Sequence, residues 1–360
     1  MRYKREVKII SDKQVVLSIY SPSTKSYESN KITYLGLYKP HETDYINNEY
    51  AEYSEKEKMN FYDYLDNLEI NLNDIENHDS SKKRPLIIFS PGLKMDRDSS
   101  MFIIEKLISK NYTVITIGHS YETPITYLPD GEIIKSVLNE LSPQEKLDLI
   151  LERSSDIDLV INKIKSGELE ISSATDKENI ILIGHSFGGA ASYKSACSNN
   201  SIKGLVLWDA SLQYFDEISD YKKLSIPVLN FRRGLCNYDD EIEKFIKDNK
   251  NLLTKEEFEF RLSDRKRVSR LQFDAQMKLY ASTDSTSHYI KLIGSEHMSF
   301  TDYALLQSYE KNKDFLFNKS MYDIISKTTI SFIENSFNSE NNFKVFVKNN
   351  KDRGLRFIEY

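Results

Sequence analysis

Short apolar runs separated by amphipathic or polar stretches recur through the middle of the chain. The runs have the length of buried strands and lie at residues 85–90, 112–117, 180–183, 204–208, 226–231 and 289–293. Between them, residues 100–110 and 143–165 place apolar side chains at helical spacing. Strands that alternate with helices in this way predict an α/β fold with a doubly wound, mostly parallel sheet and helices on both faces.

The two ends of the chain follow different patterns. Residues 5–37 contain strand-like alternating segments separated by turn residues, which predict an antiparallel edge of the same sheet. Residues 41–84 are polar, acidic and aromatic, with helical periodicity around positions 61–72, and we interpret them as a surface helix and loop without chemistry. Residues 303–336 are expected to be helical. The predicted organisation is therefore one domain, residues 1–336, followed by a polar C-terminal tail, residues 337–360.

Composition narrows the class of protein. A chain of 360 residues that is 39% hydrophobic can build one large α/β core. The formal net charge of −6 argues against a nucleic-acid-binding protein, which usually has a basic excess. The two cysteines, Cys197 and Cys236, are far apart and lack metal-ligand spacing, so no disulfide framework is predicted. The first ten residues are basic without an apolar segment, and no apolar run is long enough to span a membrane, so we expect a cytoplasmic protein.

The strongest chemical motif follows the apolar run at residues 180–183. The next five residues, Gly184 to Gly188, read Gly-His-Ser-Phe-Gly, and small residues come directly after them. A strand, a tight turn and a helix around G-x-S-x-G predict a nucleophile elbow, with the hydroxyl of Ser186 exposed above the sheet. His185 inside this turn is expected to be structural.

A serine nucleophile requires a histidine base and an acid, in the chain order Ser, Asp or Glu, His. Two histidines follow Ser186. His288 comes before the predicted strand at 289–293 and His297 comes after it, at the carboxyl end where such sheets hold their active sites, so we favour His297. For the acid we favour Asp209, which directly follows the strand at 204–208. Asp239 or Asp240, beyond the next strand, is the alternative.

Other residues near these strand ends are candidates for the rest of the site. The N–H of Phe187, at the start of a helix, and the N–H of Leu93, after Gly92, are the expected oxyanion-hole donors. The pocket candidates are His119, Tyr121 and Trp208. His119 is equally consistent with a structural role, and Trp208 is expected to pack in the core beside the acid.

A charged helical insertion, residues 238–285, separates the last two predicted strands. It contains a basic cluster from Arg261 to Arg270, interleaved with acidic residues and followed by apolar residues at near-helical spacing. Three interpretations stay open: a solvated helical excursion, a lid over the site, and a surface that contacts anionic lipid. The acidic neighbours favour the first over membrane contact.

Five motifs together resemble one family of enzymes. They are Ser90-Pro-Gly-Leu93, Gly118-His-Ser-Tyr-Glu122, Gly184-His-Ser-Phe-Gly-Gly189, Trp208-Asp-Ala210 and Gly294-Ser-Glu-His297. This set is similar to the plasma-type platelet-activating factor acetylhydrolases and their bacterial relatives, within the dienelactone-hydrolase-like serine esterases. The resemblance covers residues 85–305. It implies an α/β-hydrolase fold, a triad whose acid follows the strand after the elbow, and hydrolysis of short or oxidised acyl esters without metal or other cofactor.

The expected function is therefore a metal-independent serine hydrolase that cleaves small carboxylic esters, including phospholipid acyl esters, through an acyl-enzyme. An amidase or peptidase on the same fold is the enzymatic alternative, and a non-catalytic binding protein is the alternative from another class. The residues at positions 94–97, Lys-Met-Asp-Arg, depart from the small residues of the family. Neither the acyl group nor the alcohol of the substrate follows from the motifs.

Overall fold

The computed structural model describes most of the chain, and all structural statements below refer to those residues. They are residues 2–10, 15–23, 32–72, 83–128, 130–215, 222–235, 237–306, 315–337 and 342–358. Pro129 and Cys236 lie outside this set.

The architecture is a twisted nine-stranded sheet covered by helices, in the strand order β1-β2-β6-β5-β9-β10-β11-β12-β13. The six strands from β6 to β12 in this order are parallel, and β1, β2 and β13 join antiparallel at the two edges. Two short ribbons, β3 with β4 and β7 with β8, lie outside the sheet. The strands are β1 Arg2–Ile10, β2 Val15–Ser23, β3 Ile32–Thr33, β4 Glu69–Ile70, β5 Arg84–Ser90, β6 Thr113–Gly118, β7 Ile125–Tyr127, β8 Ile133–Lys135, β9 Thr175–His185, β10 Ile202–Trp208, β11 Val228–Arg233, β12 His288–Leu292 and β13 Leu355–Phe357.

Helices fill the connections between the strands. They are α1 Glu42–Glu49, α2 Glu55–Asn67, α3 Met101–Ser109, α4 Pro143–Ser166, α5 Phe187–Ser198, α6 Tyr238–Asn249, α7 Lys255–Ser282, α8 Phe315–Phe337 and α9 Phe343–Asn349. Capping boxes at Ser142 with Glu145 and at Thr254 with Glu257 begin α4 and α7. In each, the cap hydroxyl and the glutamate satisfy backbone N–H groups that the helix itself leaves unpaired.

The core lies in two layers, one on each face of the sheet, because successive side chains of a strand point to opposite faces. In β9, Ile181 and Ile183 pack in the layer that contains residues of α3 and α8, whereas Ile180 and Leu182 pack in the layer that contains α4 and α5. All four are fully buried, and each contributes about 2 kcal/mol of transfer free energy. The predicted α/β sandwich, with strands alternating with helices, is confirmed.

Two segments differ from the sequence-based prediction. At the end of the segment 5–37, where strand-like alternation predicts strands, only Ile32–Thr33 is a strand, and Leu35–Tyr38 forms a 3-10 helix. Within the predicted polar tail, 337–360, the described residues form the end of α8, the helix α9 and the edge strand β13. A few apolar residues anchor this tail, because Phe343, Val347 and Leu355 are all buried in the core.

The structure also bears on membrane insertion. Among the described residues, no helix combines the length and the apolar character needed to cross a lipid bilayer.

Candidate active site

Ser186 lies in a strained turn between β9 and α5. Its backbone has φ 53° and ψ −117°, a conformation that is costly for a residue with a side chain. The neighbouring strand holds it there, since the N–H of Ser186 donates to the carbonyl of Trp208 at 3.0 Å and its carbonyl accepts from the N–H of Ser211 at 2.9 Å. The turn therefore presents the Ser186 hydroxyl at the carboxyl edge of the sheet.

Two glycines allow the backbone segments of this turn to approach each other. A Cβ on Gly184 would lie 2.4 Å from the carbonyl oxygen of Gly188, and one on Gly188 would lie 2.1 Å from the carbonyl oxygen of Ser90. Both distances are far below van der Waals contact. The glycines of the motif are thus required by direct contact between backbones, as a nucleophile elbow demands.

Ser186, His297 and Asp209 form one chain of hydrogen bonds. His297 Nε2 lies 3.0 Å from Ser186 Oγ, and His297 Nδ1 lies 2.5 Å from Asp209 Oδ2. The three residues follow β9, β12 and β10, whose carboxyl ends meet at one edge of the parallel sheet. With Nδ1–H donating to the carboxylate, Nε2 is left as an acceptor for the serine hydroxyl. The structure thus brings the three predicted residues together, and their catalytic roles stay a prediction.

Asp209 is fully buried and is surrounded by positive charge. Arg232 Nη1 lies 2.9 Å from its Oδ1, and Arg233 Nη1 lies 3.0 Å from its Oδ2. Burial alone would raise the pKa of Asp209, but Arg232 and Arg233, together with the hydrogen bond to His297, hold it well below its ordinary value. The carboxylate is therefore ionised throughout the neutral range.

The alternative acid and base occupy other positions. Asp239 is exposed in the first turn of α6, and Asp240 accepts a hydrogen bond from the side chain of Asn237, which caps that helix. His288 begins β12, at the amino end of the strand, and its ring packs 4.7 Å from that of Phe343. Burial lowers the pKa of His288 to about 4. Asp240 therefore belongs to a helix cap, Asp239 to the solvent-exposed surface, and His288 to the packing around Phe343.

The two proposed oxyanion donors flank Ser186. Phe187 is the first residue of α5, so its N–H has no partner within the helix. Leu93 lies in the loop that follows β5 and lines the same cavity as Ser186. We call residues 91–95 the oxyanion loop.

A buried arginine of α4 holds the oxyanion loop from behind. Arg153 donates through Nη1 to the carbonyl of Pro91 at 2.7 Å and through Nη2 to that of Gly92 at 3.3 Å. Its Nε donates to Glu122 Oε2 at 2.7 Å, so the buried charge is paired. Its guanidinium also lies 5.9 Å from the ring centre of Phe187. With two of its carbonyls bonded on the far side, the loop is held in a fixed position.

A second Ser-His-Asp arrangement lies behind the same loop. Ser90 Oγ is 3.0 Å from His119 Nε2, and His119 Nδ1 is 2.8 Å from Asp156 Oδ2. All three residues are buried, and they are not among the described residues that line the cavity. Their geometry resembles a triad, but their position makes them a structural link between β5, β6 and α4.

The three pocket candidates accordingly lie away from the cavity. His119 is buried because it bonds Ser90 and Asp156 within the core. Trp208 is fully buried under the sheet and donates through Nε1 to Thr329 Oγ1 at 3.2 Å, as its core-packing interpretation implied. Tyr121 is 42% exposed, in a turn with φ 70°. Residues at strand ends can point below the sheet or outward as well as into the site, and spacing alone does not distinguish these directions.

His185 contacts both the backbone and the ring of His297. Its Nε2 lies 3.0 Å from the carbonyl oxygen of His297, and the two rings are 4.7 Å apart. Burial, and secondarily the nearby His297, lowers the pKa of His185 to about 3. It is therefore a neutral donor that fixes the backbone of His297, in line with the structural role expected for it.

A cavity of about 750 Å³ opens over Ser186 and His297. It is lined by the oxyanion loop, by Ser186 and His297, and by aromatic residues that come largely from the segment 34–53. The tyrosines that line it include Tyr34, Tyr38, Tyr45, Tyr50, Tyr53 and Tyr127. This volume accommodates a small to medium-sized organic substrate.

Comparison with known proteins agrees with this arrangement. The family model described as "Platelet-activating factor acetylhydrolase, isoform II" matches residues 155–353, more than half of the chain. The chain belongs to this family. The match includes β9, β10 and β12 and hence the three residues of the hydrogen-bonded chain, so the resemblance inferred from the motifs is confirmed.

One relative of this family member is a "Probable 1-alkyl-2-acetylglycerophosphocholine esterase" of Arthroderma benhamiae, 28% identical over 138 residues. The match covers 38% of this chain and about a third, 34%, of the relative. Among solved structures, a ferulic acid esterase from Streptomyces cinnamoneus superposes with a TM-score of 0.67 at 15% identity, covering 99% of this chain and 95% of the other. That likeness shows the α/β-hydrolase fold.

Several residues of the site were not predicted from the sequence of this family member. Residues 41–53, which contribute to the cavity lining, belong to the stretch 41–84 that was interpreted as a surface helix and loop without chemistry. Arg232 and Arg233 end β11, and this position at a strand end was the available clue to their contact with Asp209. Ser211, whose Oγ lies 3.1 Å from that of Ser186, follows Asp209 by two residues. Its role depends on the turn geometry, which the sequence does not specify.

The basic cluster of the insertion makes contacts within the protein. Arg267 pairs with Asp264 at 2.7 Å, and Arg265 lies 3.3 Å from Glu241. The guanidinium of Arg270 lies over the ring of Tyr238. Part of the positive charge is therefore neutralised or covered locally.

Proposed function

We propose that the protein is a serine hydrolase of carboxylic esters, in which Ser186 is the nucleophile, His297 the general base and Asp209 the acid that orients it. The observation that carries the proposal is the hydrogen-bonded chain from Ser186 Oγ through His297 to Asp209, with distances of 3.0 and 2.5 Å. Membership in a family described as acetylhydrolases supports the ester as the bond that is cleaved.

The proposed reaction follows from these contacts. Ser186 Oγ attacks the acyl carbon while His297 Nε2 takes its proton, and the buried carboxylate of Asp209 stabilises the imidazolium that forms. The N–H groups of Leu93 and Phe187 stabilise the negative oxygen of the tetrahedral intermediate. His297 then protonates the departing alkoxide, and a water molecule releases the acyl group by the same steps. These side chains supply nucleophile, base and electrostatic stabilisation, so the proposed reaction requires no metal or other cofactor.

The proposed substrates are esters with short acyl chains, among them acyl esters of phospholipids. A cavity of 750 Å³ lined by tyrosines has room for one small acyl group and part of an alcohol. The name of the Arthroderma benhamiae relative, an acetyl-ester hydrolase, supports the same class.

The experiment is a series of p-nitrophenyl esters from acetate to octanoate, together with labelling by a fluorophosphonate probe. We expect turnover with a preference for the shorter chains and labelling of one serine. Ser186→Ala should abolish both. Ser90→Ala, from the buried second arrangement, is the matched control and should retain the label. Failure of the folded wild-type protein to label and to hydrolyse any ester would refute the proposal, and labelling that depends on Ser90 would refute the assignment of Ser186.

A further inference from the structure

Asp209 shares one of its oxygens between two donors. Oδ2 accepts from His297 Nδ1 at 2.5 Å and lies 3.0 Å from Arg233 Nη1, and the N–H of Arg233 approaches Oδ1 at 3.3 Å. Arg233 therefore binds the carboxylate through both its side chain and its backbone. The acid of a triad has to orient the histidine and stabilise its positive charge. The guanidinium of Arg233 at this distance fixes Asp209 and so helps to orient His297. Its positive charge, however, opposes the positive charge that forms on His297.

The insertion provides the counter-charge for this arginine. Arg233 Nη2 donates to Glu241 Oε1 in α6 and lies 3.4 Å from Gln272 Oε1 in α7. The second oxygen of Glu241 accepts from Ser269 Oγ at 3.0 Å. Glu241 is buried, with 5% of its surface exposed, so its charge is poorly screened by water. Helices α6 and α7 thus hold the guanidinium on the side opposite Asp209.

We propose that Arg233 is a positioning residue for Asp209, and that the insertion, through Glu241, fixes Arg233 and sets the electrostatic potential at the Asp209–His297 pair. This inference rests on the proposed function. It gives the insertion a role that differs from a lid, a solvated excursion or a lipid-binding surface, because Glu241 contacts the arginine that binds Asp209.

The charges around the pair determine the expected direction of the effects. Among the described residues, the titratable and charged groups beneath or beside the pair are His185 from β9, Arg232 and Arg233 from β11, Glu241 from α6 and, next to Glu241, Arg265 from α7. Glu296 precedes His297 and lies 3.7 Å from Lys244 of α6. The cavity that contains His297 is also lined by Glu49, Glu52, Lys94 and Asp96. Removing the positive charge of Arg233 favours the imidazolium form of His297. Removing the negative charge of Glu241 leaves Arg233 uncompensated and disfavours that form. The two substitutions therefore have opposite effects on how readily His297 takes a proton.

The test measures kcat and the pH profile of kcat/KM for p-nitrophenyl acetate with the full chain. The acid limb of that profile is the pH range in which kcat/KM falls as His297 becomes protonated. Glu241→Gln should lower kcat about tenfold and move the acid limb to lower pH by roughly half a unit. Arg233→Met should also lower kcat but move the acid limb to higher pH. Arg233→Lys, which keeps the charge and loses the planar guanidinium, should return the limb to the wild-type position while kcat stays reduced.

Glu243→Gln is the matched control, since it makes the same change on the exposed side of the same helix. It should leave both kcat and the pH of the acid limb unaltered. Equal profiles for Glu241→Gln and Glu243→Gln would overturn the inference, as would a limb that moves in the same direction for Glu241→Gln and Arg233→Met. If Arg233→Met fails to fold, the comparison of the two glutamate variants decides the question. Absence of any activity in the wild type would instead refute the proposed function, so the two failures are distinguishable.

Discussion

Replacing Asp209 with Asn tests the site most directly, because the two side chains have nearly the same shape. The carboxylate accepts from His297 Nδ1 at 2.5 Å. An amide that presents its NH2 group there favours the opposite tautomer of His297, whose Nε2 then carries the proton and cannot accept one from Ser186. We expect kcat to fall about 10⁴-fold, equivalent to ~5.5 kcal/mol in the activation free energy.

The same substitution should weaken the fold, since it removes the partner of two arginines. Arg232 is 2% exposed and lies 2.9 Å from Asp209, and Arg233 lies 3.0 Å away. Removing one member of a buried ion pair costs about 3–5 kcal/mol, a large part of the stability of a typical domain. Because the pKa of Asp209 is held well below its ordinary value, the stabilisation is present above the ordinary pKa of an aspartate. It is lost only as the pH falls through the depressed value.

The assays are steady-state hydrolysis of p-nitrophenyl acetate and urea unfolding of each variant, at neutral pH and near pH 4. The stability difference between wild type and Asp209→Asn should persist at the lower pH. Asp239→Asn is the matched control, since this side chain is exposed in α6. The control substitution should change neither kcat nor the free energy of unfolding. If Asp209→Asn kept more than about a tenth of kcat while Asp239→Asn was inactive, the assignment of the acid would be refuted.

Three further predictions concern the surroundings of the site. Arg153→Met frees two carbonyls of the oxyanion loop and should lower kcat about 10–100-fold with a smaller change in KM, measured by steady-state kinetics. Because the pKa of His185 falls to about 3 on folding, the unfolded chain binds one more proton between about pH 3 and 6.5. Stability should therefore fall with acidification by up to about 1.4 kcal/mol per pH unit in this window, and His185→Gln should remove that contribution in urea unfolding. The basic cluster at 261–270 is partly paired, so we expect no flotation with anionic vesicles at low salt; flotation that changing its arginines to Ser abolishes would contradict this.

The parts of the site that could be predicted are those whose geometry is local. The turn around Ser186 needs a strand, two glycines and a helix within about a dozen residues, and all are adjacent in the sequence. The positions of Asp209 and His297 followed from one further rule, that parallel strands present their carboxyl ends at one edge of the sheet. The central α/β fold was predictable for the same reason.

The parts that could not be predicted depend on contacts between distant segments. Residues of segment 34–53 line the cavity together with the loop after β5 and with Ser186 and His297, which are distant in sequence. The tyrosines of this segment are, from the sequence alone, as consistent with packing as with a binding site. Glu241 of α6 pairs with Arg233 of β11, a contact between two elements that the sequence pattern does not bring together. The tail was interpreted from its polar composition, whereas Phe343 and Val347, four residues apart on one face of α9, are buried in the core.

Arg153 also has a consequence for how such a site can diversify. The side chain of Arg153 bonds the loop that contains Leu93 and lies against the ring of Phe187. The two proposed oxyanion donors, 94 residues apart in sequence, are therefore positioned by the same side chain. Asn48, Ala51 and Glu52 line the same cavity from another part of the chain and are exposed, whereas Tyr34, Tyr38 and Tyr45 are buried in the core. We therefore expect substitutions at the three exposed positions to alter which molecules enter, while Arg153 keeps the proposed oxyanion donors in place. Libraries aimed at new substrates should vary these exposed positions and leave α4 unchanged.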